Sequence, residues 1–164
     1  MRTEIARVME ALHLPPEDLV AVRPTQYRAV LNRILETFTV YGAQGQERLW
    51  LWEGFKGEHF ALPLDEPGGW HWLSRLVPPD EQVWLLAEDW DGQKLEGNYW
   101  LFRGRVGAIG AVLRELFAFE YYIVAKDFQW LLCETHHNML IGVGTHITER
   151  LKAAAKLSPS SSDS

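Results

Sequence analysis

FEYYIVAKDFQWLLCETHHNMLIGVG, residues 119–144, decides how this chain folds. It separates into three short apolar runs, residues 120–125, 129–134 and 139–143, joined by KDF at 126–128 and THHN at 135–138. The runs are rich in β-branched and aromatic residues, and the joints are of hairpin length, so the stretch predicts a three-stranded antiparallel meander. Symmetric pairing about the joints would set Val124 opposite Trp130, Tyr122 opposite Leu132, and Leu132 opposite Ile141. One face would then hold Tyr122, Val124, Trp130, Leu132, Ile141 and Val143, and the other Tyr121, Ile123, Leu131, Cys133 and Leu140. Both faces are apolar, whereas a meander with one wet face alternates apolar and polar residues. The meander is therefore expected at the centre of a sheet covered on both sides, which leaves strand ends and turns as the places for a functional surface.

Outward from the meander, apolar residues recur at helical spacing over residues 3–13, 25–38, 106–117 and 145–157. Thr25 is placed to cap the second of these helices. A short helix is expected over 68–76, presenting Trp72, Leu73 and Leu76 and ended by Pro78 and Pro79. Strands are expected over 82–88 and 98–102. A hairpin is expected between 49–52 and 59–62, around Gly54 and Gly57. The reading is an α+β fold in one domain over residues 1–157. Its central, largely antiparallel sheet of about five to seven strands is covered by amphipathic helices. SPSSSDS, residues 158–164, reads as a disordered tail.

At 164 residues with 47% hydrophobic content, the chain is long enough to bury a core without a metal or disulfide staple. The net charge of −6 argues against general nucleic-acid binding, which needs clustered Lys and Arg. No apolar run reaches the roughly 18 residues of a spanning helix, and the first residues interleave charge with apolar side chains, unlike a secretory signal. The single cysteine, Cys133, has no internal disulfide partner, which suits a reducing compartment. These features together predict a cytoplasmic protein without a membrane segment.

Four groups of residues could carry function. The turn Glu134, Thr135, His136, His137, Asn138 holds metal-ligand and acid–base residue types. Adjacent strand residues point to opposite faces, so the two histidines would not share one ion, and neither metal nor cofactor is expected. In its structural reading Asn138 takes a positive φ and a histidine caps free backbone groups. In its chemical reading Glu134 orients a neutral His136 or His137. Cys133, in mid-strand, reads as buried packing. Glu88, Asp89, Trp90 and Asp91 form an acidic and aromatic strand end, within a run from Asp80 to Gly97 that has six acids and one base. Eight tryptophans include the pairs Trp50/Trp52 and Trp70/Trp72, which strand spacing would set on one face as a stacking platform. There is no H-E-x-x-H, C-x-x-C, phosphate-loop or G-x-S-x-G motif.

Residues 119–144, with NYWLFRG at 98–104 before them, resemble a family of uncharacterised bacterial proteins that share a YYIV…WLLCE.HH..L meander. The layout also resembles SMI1/KNR4-type domains, which implies an immunity role against secreted toxins and supplies no catalytic residues. Three readings stand side by side. The first is a non-enzymatic module that binds a basic protein partner through Glu88, Asp89, Trp90, Asp91 and Asn138. The second is a hydrolase using Glu134, His136 or His137 with Asp89 or Asp91. The third is a sugar-type ligand bound on a tryptophan platform.

Overall fold

The computed structural model of the chain describes residues 1–90, 92, 94 and 97–157. Asp91, Glu96 and the tail over 158–164 lie outside the described residues. Among the described residues seven strands form one sheet: β1 (Leu19–Ala21), β2 (His59–Pro63), β3 (Gln82–Glu88), β4 (Tyr99–Arg105), β5 (Tyr121–Ala125), β6 (Leu131–Glu134) and β7 (Met139–Val143). Their order is β1-β4-β3-β5-β6-β7-β2, and every neighbouring pair is antiparallel. Among the described residues five α-helices accompany them: α1 (Arg2–Ala11), α2 (Pro24–Phe38), α3 (Trp70–Leu76), α4 (Val106–Glu115) and α5 (Thr145–Leu157).

The sheet is sandwiched, as its two apolar faces require. Val83, Leu85, Tyr121, Ile123, Leu132 and Leu140 pack with buried residues of α1, α3, α4 and α5. On the other face Leu86, Tyr122, Val124, Cys133 and Ile141 pack under Leu31, Ile34, Leu35 and Phe38 of α2 and under Leu51. The second cover thus comes from α2 together with the tryptophan-bearing segment that follows it. All five residues of β5 and all four of β6 are buried, so neither strand meets water.

The register differs from the symmetric expectation by one residue at both hairpins. Tyr122 lies opposite Cys133, Ile123 opposite Leu132, and Val124 opposite Leu131. The β5–β6 connection closes from Ala125 to Trp130 through a four-residue loop, with Phe128 in the left-handed region at φ 59°. A one-residue slip exchanges faces, so Leu131 joins the α2 side and Trp130 and Leu132 the other. In the β6–β7 turn Cys133 meets Ile141, and the Asn138 N–H donates to the Thr135 carbonyl at 3.0 Å. Asn138 has φ 56°, the left-handed residue of a three-residue hairpin.

Other boundaries moved for local reasons. Residues 51–54 form a 3₁₀ turn, and the expected partner run pairs as β2 with β7 at the sheet edge, so the 49–62 hairpin is absent. Pro24 occupies the first turn of α2 with Arg23 at its cap position, so Thr25 is not the cap. Strand β1, three residues after a Pro-initiated turn, carries too short a pattern to be read.

Candidate functional site

The antiparallel order gathers one end of the sheet: the end of β3 at Glu88, the start of β4 at Tyr99, the residues entering β5, and the β6–β7 turn. Most of the sequence-predicted residues lie here. Strand alternation then sends them to different faces. Glu88 and Glu120 follow the register of Leu86 and Tyr122 towards α2, whereas Glu134 follows Leu132 towards α3.

Glu134 is a structural carboxylate. Its Oε1 accepts the Gly68 N–H at 2.8 Å and its Oε2 the Gly69 N–H at 2.8 Å. The Tyr121 hydroxyl donates to Oε2 at 2.5 Å. The carboxylate thereby satisfies backbone donors at the entry to α3, where Asp or Glu is favoured by the helix dipole. Burial, and then the Glu134 charge, hold the Tyr121 hydroxyl well above the ordinary tyrosine range, so it stays a donor. The bonds of Glu134 run to the entry of α3 and to Tyr121, and the His136 ring nitrogen Nδ1 meets a different carboxylate.

That carboxylate is Glu120, which the sequence reading did not single out. Its side chain is 0% exposed. Oε1 accepts from the Tyr122 hydroxyl, and Oε2 from the Trp52 indole at 3.1 Å. Nδ1 of His136 lies 3.0 Å from the same Oε2. The Tyr122 hydroxyl in turn accepts the Leu51 N–H at 3.1 Å. Among the described residues, His136 is the one ion-pair partner of Glu120. His136 packs against Trp50 at 5.1 Å and His137 at 4.0 Å, and His137 meets Trp52 edge-on at 5.8 Å. The pair Trp50/Trp52 therefore does converge on one place, through a 3₁₀ turn and not a strand. The backbone capping assigned to a histidine is done by Thr135, whose Oγ1 accepts the His137 and Met139 N–H groups.

Glu88 is half-buried, and its Oε1 accepts the Glu120 N–H at 3.0 Å. Desolvation raises its pKa, and the nearby Glu120 charge adds to the rise. Asp89 holds the chain after β3: Oδ1 accepts the Trp100 indole at 2.7 Å and Oδ2 the Lys94 N–H at 2.6 Å. Asp80 and Glu81 precede β3 at its opposite end, so the acidic run is not one surface. Cys133 is fully buried, and burial and then Glu120 push its thiol well above the ordinary range. Trp70 and Trp72 fall on a helix, one stacked on His71 and the other beneath Arg75, and form no shared platform. Among the described residues no group of three His, Cys, Asp or Glu is placed to hold a metal ion.

Trp90 is the most exposed tryptophan, at 60%, and Phe117 is 93% exposed. They border a groove of about 510 Å³ with Leu116 and Phe119, and Glu4 and Glu88 supply its acidic groups. Its second aromatic, Phe117, is the last residue of the helix that the spacing predicts over 106–117. In the structure α4 stops at Glu115 and leaves Phe117 in the connection to β5. Among the described residues, no helix is long and apolar enough to cross a membrane.

Searches against curated proteins and against solved structures returned no match to the chain. A family profile covers residues 1–155, both the meander and the helical elements that sandwich it, and the chain belongs to that family, the family of unknown function DUF6756.

Proposed function

We propose that the chain is a protein-binding module whose docking surface is the groove between Trp90 and Phe117, and that its partner presents an amphipathic segment carrying basic residues. The carrying observation is the exposure of two large aromatics that line one groove together with Glu4 and Glu88. Aromatic side chains that lose water on binding are the usual anchors of an interface, and a monomer gains nothing by leaving them in water. Glu88 and the net charge of −6 favour a partner of opposite sign and speed its encounter, and a basic residue of the partner would share Glu4 with Arg7, which it meets at 3.0 Å. An immunity-type role, with a basic toxin as the partner, is the specific form of this reading.

The test compares partner capture by the wild-type chain and by a Trp90→Ala/Phe117→Ser variant, with melting temperatures measured for both. The expected result is a basic protein retained by the wild type and lost by an equally stable variant. Equal capture by both chains, or a captured set with no basic protein, overturns the proposal.

A further inference from the structure

A second cavity lies apart from that groove and has the opposite charge. It measures about 710 Å³, within the size range of small-molecule sites, and it opens between the end of β1, the start of α2 and Trp100. Arg2, Arg23, Arg28 and Lys94 line it, against one lining acid among the described residues, Glu47. In a chain of net charge −6 this is a local inversion. Among the described residues, Arg2, Arg23 and Arg28 are in no ion pair with a carboxylate. The first turn of α2 contains no acid and its cap position makes no side-chain hydrogen bond, so α2 itself supplies nothing to offset its positive end at the cavity wall.

The rest of the lining is built and partly aromatic. Tyr27 is fixed by its hydroxyl, which donates to the Tyr99 carbonyl at 2.6 Å. Burial, with Glu47 adding to it, raises the Tyr27 pKa to about 12, so that wall stays neutral. Lys94 Nζ stands 4.4 Å from the Tyr27 ring centre and 5.2 Å from that of Trp100, and the Arg2 guanidinium lies 5.8 Å from Trp100. Cations held over ring faces have lost much of their freedom before a ligand arrives.

We propose that this cavity binds a small phosphorylated molecule of mononucleotide size. Its phosphate would be held by Arg23 and Arg28, with Arg2 beside them, and its ring would lie along the Trp100 and Tyr27 wall. Planar guanidinium groups match phosphate oxygens in pairs, which is why arginine suits this task. An aromatic wall beside them favours a flat organic body over a bare ion.

The test is calorimetric titration of the full chain with adenosine monophosphate, uridine monophosphate and inorganic phosphate, repeated with an Arg23→Ala/Arg28→Ala variant. Both arginines are exposed and, among the described residues, in no ion pair, and a melting curve checks that the variant is folded. At least one mononucleotide should bind, more weakly as salt is raised, with affinity at least about tenfold lower in the variant. Trp100→Phe should weaken the mononucleotide more than phosphate. The proposal is overturned if no mononucleotide binds up to about 10 mM, a range that reaches the weakest specific affinities. It is equally overturned if the folded variant binds as well as the wild type, or if only a single-stranded oligonucleotide binds. Inorganic phosphate binding as tightly as a mononucleotide overturns the role of the aromatic wall.

Discussion

The backbone of Gly69 approaches the Glu134 carboxylate so closely that a Cβ at position 69 would stand 2.6 Å from Oε2. The same Cβ would meet the Tyr121 hydroxyl oxygen at 2.9 Å. Both neighbours are buried and hydrogen-bonded, so neither can swing aside. Gly69→Ala is expected to destabilise the fold by about 2 kcal/mol, and Glu134→Ala by about 2–4 kcal/mol, because it strands three donors that the carboxylate satisfied. Urea unfolding monitored by tryptophan fluorescence measures both. A Glu134→Ala chain as stable as the wild type would show that the carboxylate is not the cap of α3.

His136 gives the buried Glu120 carboxylate its ionisable partner. Removing one partner of such a pair leaves charge without compensation, and the cost falls on the fold. His136→Ala is expected to lower stability by about 1–2 kcal/mol, discounted from the fully buried case because the histidine is exposed at the surface. Adding Glu120→Gln to that variant removes the charge while keeping one acceptor oxygen, for either the Tyr122 hydroxyl or the Trp52 indole. The double variant should therefore be less destabilised than the two single changes add up to, and a double-mutant cycle reads the coupling directly.

Asn138 and Phe128 both adopt left-handed backbone, and they show what the residues do and do not disclose. Asparagine is a common residue for that conformation, so its positive φ was legible, although the register across that turn also shifted by one. Phenylalanine is not, so nothing marked the loop before Trp130 as four residues long, and the register slipped by one. The apolar runs of β5 and β6 announced a doubly covered sheet because no polar residue interrupts them. Glu120 was invisible for a different reason. Its role depends on β3 lying beside β5 and on Trp52 reaching across from a 3₁₀ turn, contacts between positions far apart in sequence. The cationic cavity is likewise assembled from α1, the start of α2 and the segment before β4, positions far apart in sequence. Asn138 also carries a prediction. Asn138→Gly should change stability by less than about 0.5 kcal/mol, whereas Asn138→Val should cost about 1–2 kcal/mol, since a β-branched residue resists positive φ. Equal effects would mean that the turn is not held in this conformation.

Glu88 offers a test through pH. Its carboxyl is half-buried beside the buried Glu120, and desolvation, then that charge, raise its pKa above 4.5 in the folded chain. A carboxyl whose folded pKa lies above its unfolded value binds its proton more tightly when folded. Its favourable contribution is complete below the unfolded value and is lost as pH rises through the folded one. At neutral pH the ionised Glu88 is thus a cost that the fold carries. Glu88→Gln keeps an oxygen to accept the Glu120 N–H and removes the charge. The variant should melt roughly 1–3 °C above the wild type at pH 7. That advantage should shrink as pH falls, and vanish once the wild-type carboxyl is protonated in both folded and unfolded chains, below about pH 4. Melting curves of the two chains between pH 4 and pH 8 check it. An advantage that grew towards low pH would reverse the sign and place Glu88 among the stabilising carboxylates.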